Sequence, residues 1–272
     1  MLSRILILAN LMLALCVSAY SQHFAKKDFD VVNMAVWKAD TKTGLMQLLN
    51  GLLKNDPLVN INSRNGILMS NSGVGTPLNR QLHGDVYHQR IVLRLYPNNF
   101  FINLLTRNDS ILFSAVCFTE SAFAQGPGFL EADSTVKAIH YNDAAVQDFL
   151  DIRNKFYRSR KTISDIAVEI SADRVYGMRC GFFDLKTDGR KNIEELVAKA
   201  DPLPEIRGML QSLCCEEQAL GVAAIDMLIE KGVTIDSFND KLYRYIRQRN
   251  APVVTCAGCS MGIVARLYND KQ

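Results

Sequence analysis

The sequence has little charge of either sign in excess. Its 31 Lys and Arg nearly balance 28 Asp and Glu, leaving a net charge of +3. That balance gives no global pull toward nucleic acid, and no nucleic-acid partner is expected. Proline is sparse at 7 residues and glycine ordinary at 16, which excludes collagen and low-complexity arrays. Long apolar runs are nearly absent. A single stretch at the N-terminus is apolar enough to discuss, so a polytopic membrane protein is excluded. Complete catalytic signatures are missing too: there is no HExxH, no P-loop lysine and no histidine after His140. What is present is 48% hydrophobic and 22% charged, the proportions of a globular chain rather than a disordered one.

Residues 1–22 read MLSRILILANLMLALCVSAYSQ. Arg4 precedes an apolar run from Ile5 to Val17, and the small residues Ser18, Ala19 and Ser21 follow, the three-part layout of a secretory signal peptide. Cleavage is expected near Ala19 or Ser21, giving a secreted or periplasmic protein with no transmembrane segment in the mature chain. An uncleaved anchor is the alternative. A lipidated Cys16 is another, but Leu15 stands where a lipoprotein signal wants a small residue. Removing 1–22 takes one of the 31 basic residues and no acid, so the mature charge is 30 − 28 = +2.

Export decides how cysteine is read. Of 7 cysteines, Cys16 lies in the signal, leaving Cys117, Cys180, Cys214, Cys215, Cys256 and Cys259. An even number in an oxidising compartment favours disulfides, without choosing among pairings. Cys180, Cys214, Cys215, Cys256 and Cys259 are the disulfide candidates, all in the C-terminal part.

The hydrophobic pattern divides the chain. Leu45, Leu48, Leu49 and Leu52 form a helical stripe over 42–54. Residues 60–80 are rich in Asn, Ser and Gly and read as loop. Alternation about Ile91, Leu93 and Leu95 predicts a strand, followed by strands over 100–106 and 111–118 with turns between, an antiparallel meander. The last is apolar on both faces and should be the most buried. Residues 121–135 read as a linker, and the pattern is helical from there. Helices are expected from Asn142 or Asp143 to Tyr157, and from a Thr162/Asp165 capping box to about Met178. Others run from about Asp201 through Leu213, over 216–232 and from Thr234 or Asp236 onward, with a strand at 253–255 and a helix after it. The fold class is therefore α+β: a signal peptide (1–22), an N-terminal region with an antiparallel sheet of three or more strands (23–135), and a C-terminal helical bundle with cysteine crosslinks (136–272). The helix pair within 203–232 suggests a HEAT-like hairpin.

Several constellations could bear chemistry. Cys256-Ala257-Gly258-Cys259 fits a structural crosslink to Cys180 or to Cys214/Cys215, a thiol-redox motif at a helix start, or half of a zinc site completed by Cys180 and Cys214. The redox reading lacks chain after the motif, and adjacent Cys214-Cys215 has the wrong spacing for a zinc ribbon, so no metal and no cofactor are expected. Gly258-Cys259-Ser260-Met261-Gly262 matches G-x-S-x-G, but an α/β-hydrolase needs a histidine after the serine. Gly73-Val74-Gly75-Thr76 reads as plain loop. His83 and His88 flank Gly84-Asp85, so His83, Asp85 and His88 are the candidates for catalysis. Glu194-Glu195 and Glu216-Glu217 are read as helix-start acids. Two basic runs, Arg153/Lys155/Arg158/Arg160/Lys161 and Lys241/Arg244/Arg247/Arg249, read as solvated helix faces, with an anionic envelope polymer as the residual partner.

The stretches RVYGMRCG (174–181), LPEIRGMLQSLCCEEQALGVAAIDMLIEKG (203–232) and CAGCSMG (256–262) resemble, in style, uncharacterised secreted proteins of Bacteroidota-type bacteria. That resemblance brings no activity or site with it. The expected function is a non-enzymatic binding or structural protein of the periplasm or cell surface, whose partner is a protein or an anionic envelope polymer. The alternative is an exported enzyme, a hydrolase or a thiol-redox protein.

Overall fold

The computed structural model describes residues 26–55, 73–95, 98–119, 135–172, 174–181, 185–257 and 260–268. The signal segment, the 121–134 linker and Cys259 lie outside the described residues. The architecture is α+β. Helices α1 (residues 26–38) and α2 (Lys42–Asn55) precede a sheet of β1 (Gly73–His83), β2 (Val86–Leu95), β3 (Asn98–Arg107), β4 (Ser110–Thr119) and β5 (Thr135–Tyr141). All neighbours are antiparallel, in the order β1-β2-β3-β4-β5. Next come α3 (Asp143–Tyr157), α4 (Ile163–Ser171), the two-residue pair β6 (Arg179–Cys180) and β7 (Leu185–Lys186), and α5 (Asp188–Leu196). The chain continues through α6 (Leu203–Leu210), α7 (Cys215–Glu230), α8 (Ser237–Arg249) and a hairpin of β8 (Val253–Ala257) and β9 (Ser260–Ala265).

The sheet is covered on both faces. Ile91, Leu93, Phe100, Ile102, Leu104, Val116 and Phe118 share one core with Val32, Val36, Leu45 and Leu49 of α1 and α2. Leu82, Leu105, Phe113 and Ala115 face the other way, onto Val146, Phe149, Ile166, Ile170, Leu213 and Ala219 from the C-terminal helices. A strand contributing to both cores has no solvent-facing side, which is why β4 is apolar on both faces from Ile111 to Phe118 apart from the buried Ser114. A third core joins Tyr157, Ile193, Ile206, Leu210, Val222, Ile225, Leu242 and Ile246 of α3 and α5 to α8. Within it Gly221 lets α7 approach α6 closely: a Cβ there would lie 3.1 Å from Leu210 Cδ2 and from Met209 Cβ.

Several sequence expectations hold. Asn142 caps α3 by accepting from the Ala145 N–H at 3.1 Å. Thr162 and Asp165 close the capping box at the start of α4, and Asp236 caps α8. Others are corrected. Part of the expected 60–80 loop is β1, whose Arg80 and His83 find partners in α7 and α8 rather than in their own segment. Gly73-Val74-Gly75-Thr76 lies in that strand. Residues 135–141 form β5, hydrogen-bonded to β4, so the sheet crosses the expected division at 135. Helix α4 stops at Ser171 instead of near Met178, because the chain beyond it is drawn to β8: the Tyr176 N–H donates to the Val254 carbonyl at 2.8 Å. Residues 260–265, expected as a helix, pair with β8 as β9. Glu194 and Glu195 end α5 instead of starting a helix. Helix α1 was not anticipated.

Cys180 and Cys256 form a disulfide with Cα atoms 5.9 Å apart. Gly177 is packed against it, since a Cβ there would sit 2.6 Å from Cys256 Sγ and 2.8 Å from Cys180 Sγ. Cys214 and Cys215, both disulfide candidates, are instead free and buried, as is Cys117. Cys214 and Cys215 sit at the start of α7, where Cys215 packs in the core against the sheet and Cys214 donates to Glu216.

A buried ion pair crosses the interface between the sheet and α7. Arg80 Nη1 of β1 donates to Glu216 Oε1 at 2.5 Å, with both side chains 2% exposed. The same oxygen accepts the Val254 N–H at 2.8 Å, and Glu216 Oε2 accepts from the Cys214 thiol at 3.2 Å. Burial alone would raise the Glu216 pKa, but Arg80 and the Val254 amide hold it below its ordinary value. Removing one partner strands a charge in the interior. Glu216→Ala is therefore expected to cost about 3–5 kcal/mol of stability, and Arg80→Met/Glu216→Leu together much less. Urea unfolding of the two variants beside the parent protein measures the difference.

Candidate functional site

The three residues singled out for catalysis lie on or beside the β1–β2 hairpin but share no partner. His88 is fully buried. Its Nδ1 accepts from Arg80 Nε at 3.2 Å, which assigns the ring proton to Nε2, facing Asn103 Oδ1 at 3.2 Å. Arg90 Nε donates to the same Asn103 oxygen at 2.8 Å. Asp85 is exposed and pairs with Arg107 at 3.1 Å, which also reaches Asp148 on α3 at 3.0 Å. His83 turns into a ring cluster with Phe156, Tyr157 and Tyr245, and its Nδ1 lies 3.0 Å from the Tyr245 hydroxyl. Both histidines are held neutral. Burial, then Arg153 and Arg249, lowers the His83 pKa from 6.5 to about 4. Burial, then Arg80 and Arg90, pushes His88 well below 6.5. Burial and neighbouring Glu216 push the Cys214 thiol up, the opposite of nucleophile activation.

Of the cysteines in the CxxC stretch, Cys256 is crosslinked to Cys180. Ser260 and Gly262 of the G-x-S-x-G match lie in β9, paired with β8, so no helix follows the serine as a strand-to-helix elbow requires. Among the described residues no group of three His, Cys, Asp or Glu is placed to hold a metal ion. The two basic runs are not simple solvated faces. Arg153 and part of Arg249 turn inward. Arg244 and Arg247 pair with Asp240 at 2.9 Å and Asp226 at 3.1 Å, and Lys161 pairs with Glu169.

An open concavity lies elsewhere, where α1 meets the end of the sheet. It is a groove of about 500 Å³ whose aromatic and polar lining is Trp37, Asp40, Ser110, Ser114, His140, Tyr141 and Asn142. Its walls are fixed by backbone. The corner between α1 and α2 is stitched to the β3–β4 turn: the Ile111 N–H donates to the Asp40 carbonyl and the Lys42 N–H to the Asp109 carbonyl, each at 2.9 Å. Asn108, in that turn, takes φ 57°, a conformation asparagine tolerates. The Asp109 carboxylate accepts from Thr43 N at 3.2 Å and Thr43 Oγ1 at 3.0 Å. On the opposite wall the Asn142 N–H donates to the Leu112 carbonyl at 2.9 Å, and α3 starts immediately after.

The groove is held rigid behind and open in front. His140 Nε2 meets Asn33 Oδ1 of α1 at 2.7 Å, tying the edge strand to the helix, and burial lowers its pKa. Tyr141 stacks on the buried Phe113 with centroids 6.2 Å apart. Trp37 is 63% exposed, although it is the protein's single tryptophan and projects from an ordered helix. It continues an outward apolar stripe of Val31 and Met34, one turn apart on α1. Among the described residues lining the groove, Asp40 is the one acid, and there is no Lys or Arg.

No protein-family model matches the chain, and neither a curated protein nor a solved structure is detectably similar to it.

Sequence reasoning passed over this groove. The available signal was the stripe Val32, Ala35, Val36 and Ala39, spaced i, i+3, i+4, i+7. Val31, Met34 and Trp37 on the other side flatten the contrast between the faces and hide the helix. For the buried histidines the consequence is acid sensitivity. In the unfolded chain each takes up a proton near its ordinary pKa of 6.5. The folded state refuses that proton until far lower pH, so the unfolded state binds more protons in between. Stability is therefore expected to fall as pH drops from about 6.5 toward 4, by up to ~1.4 kcal/mol per pH unit for each histidine. Urea unfolding across that range checks it, and His83→Gln should take one proton out of the slope.

Proposed function

We propose that this chain is an exported, non-enzymatic binding protein, and that the groove beside α1 is where it engages a protein partner. The observation that carries the reading is Trp37, an exposed tryptophan on α1 beside the half-exposed Tyr141. Tryptophan and tyrosine anchor protein interfaces because they bury a large apolar area while losing few rotamers. Asp40 and Asn142 at the groove supply the polar contacts that set orientation. Among the described residues the lining has no Lys or Arg, and burial lowers the pKa of its one histidine, His140, which argues against an anionic polymer as the occupant of this groove. Export is supported by the signal-like N-terminal sequence and by the Cys180–Cys256 disulfide, a bond that persists in oxidising compartments. Among the described residues no helix is long and apolar enough to cross a membrane. The residues with catalytic potential support the non-enzymatic reading, since His88, Cys214 and Glu216 are closed off from solvent and committed to one another or to backbone. We read the α6–α7 pair as a HEAT-like hairpin serving as packing rather than as a binding surface.

The test is photo-crosslinking in cells of the source organism. A photoreactive residue replaces Trp37 in one variant and Val168, a 65% exposed position on α4, in another. A discrete protein adduct from position 37, with none from 168, is expected. Equal labelling at both positions, or none at 37, contradicts the reading.

A further inference from the structure

At the heart of the ring cluster around His83, the charges do not balance. Two guanidinium groups, Arg153 of α3 and Arg249 of α8, reach the same place from different helices, and each lowers the proton affinity of His83. Arg153 is 1% exposed. Its Nη2 donates to the carbonyls of Gln211 at 2.7 Å and Ser212 at 2.9 Å. Arg249 donates to the Leu82 carbonyl, to Gln218 Oε1 at 2.5 Å and to Cys215 Sγ at 3.8 Å. Every one of these partners is neutral. Glu169 acts on Arg153 at a distance, but its oxygens are occupied by Lys161, Ser212 Oγ and the Leu213 N–H. Among the described residues neither guanidinium has a carboxylate partner. Burying a cation such as Arg153 without a counter-charge costs several kcal/mol, and the half-buried Arg249 repels it further.

The same cluster contains donors with nothing to donate to. Arg153 Nη1, Arg249 Nε and the Tyr157 hydroxyl are each buried with no hydrogen-bond partner. They belong to groups in mutual contact. The Arg153 guanidinium lies 4.3 Å from the Tyr157 ring centroid, Arg249 lies 5.8 Å from that of Tyr245, and the two tyrosine rings are 6.1 Å apart. His83 packs against both tyrosines, at 5.6 and 5.7 Å. Native interiors rarely leave even one such donor unmet, and three beside two unbalanced positive charges share one remedy. Phe156 and Tyr245, both half-buried, are the members of the cluster closer to solvent.

We propose that this cluster is a binding site for a small inorganic anion, a halide or an oxyanion such as phosphate, held by Arg153, Arg249 and Tyr157 beside neutral His83. The anion supplies the missing negative charge and accepts from all three unmet donors. It would hold α3 and α8 together on the β1–β2 hairpin, a position independent of the Trp37 groove.

The full chain, purified in sodium gluconate, tests this in two ways. One is the excess ³⁵Cl linewidth of added chloride. The other is the melting temperature at constant ionic strength with gluconate exchanged for chloride, bromide or phosphate. Saturable stabilisation is expected. A response to chloride and bromide, with chloride broadening, identifies a halide; a response to phosphate alone identifies an oxyanion. Tyr157→Phe, which keeps the ring, should weaken the anion about tenfold, and Arg249→Gln should weaken it at least as much. Equal melting temperatures in all four anions without broadening would overturn the proposal and leave an internal water as the partner of these donors. An anion response unchanged in Tyr157→Phe and Arg249→Gln would also overturn it.

Discussion

The ion pair between Arg80 and Glu216 is the constraint on which the arrangement of the C-terminal half depends. It brings three distant segments to one point: β1 through Arg80, α7 through Glu216, and β8 through the Val254 N–H on the same carboxylate oxygen. Apolar burial draws helices onto a sheet without choosing a register, because it is roughly proportional to area and has no direction. A buried charge pair does choose, since its cost is recovered only when donors and acceptor are correctly placed. Here α7 must sit where Glu216 meets Arg80, and β8 must then run beside it. The Cys180–Cys256 disulfide adds a second tie to β8 by closing a sequence separation of 76 residues. On the loop-entropy view that closure contributes about 4 kcal/mol against the unfolded chain.

This arrangement separates the molecule into an inside that carries the polar chemistry and an outside that carries the groove proposed for recognition. Arg80, His88, Arg90, Asn103 and Glu216 are buried between the sheet and the C-terminal helices. Their contacts are with one another, with backbone and with the Cys214 thiol, and neutral His88 serves as a connector between Arg80 and Asn103. The groove is built at the end of the sheet, where α1 and α3 flank β5, and its aromatic side chains point outward. Such a division fits a scaffold that presents a rigid surface. The exception is the His83 cluster, where inward-facing donors outnumber the acceptors that the chain provides.

The regular parts of the fold were legible from local chemistry. The Asn142 cap, the Thr162/Asp165 box, the Leu45-Leu49 stripe and the alternation about Ile91 each act within a few residues, so a linear reading finds them. What escaped it was set by distant partners. In β1, Asn79, Arg80 and Gln81 look like loop because the residues that pair with them lie in β2 and α7. The helix expected to reach Met178 stops early because Tyr176 is held by Val254. Residues 260–265 form β9 because β8 lies beside them. Cysteine count and export pointed to crosslinks among Cys180, Cys214, Cys215, Cys256 and Cys259, yet left the pairing open, since pairing depends on how β6 and β8 are brought together. The candidate groove was the least legible. Its tryptophan sits on a helix with apolar residues on both sides, and its other members come from three further elements.

The most direct test of the central claim is native-state hydrogen exchange at the Val254 amide, read beside amides in the middle of β4. If the Arg80–Glu216–Val254 junction binds the C-terminal elements to the sheet, the Val254 amide should exchange only through global unfolding, with the same opening free energy and the same denaturant dependence as β4. Exchange of Val254 through a low-energy local opening, while β4 stays protected, would mean that the hairpin detaches on its own and that the junction does not hold the fold together.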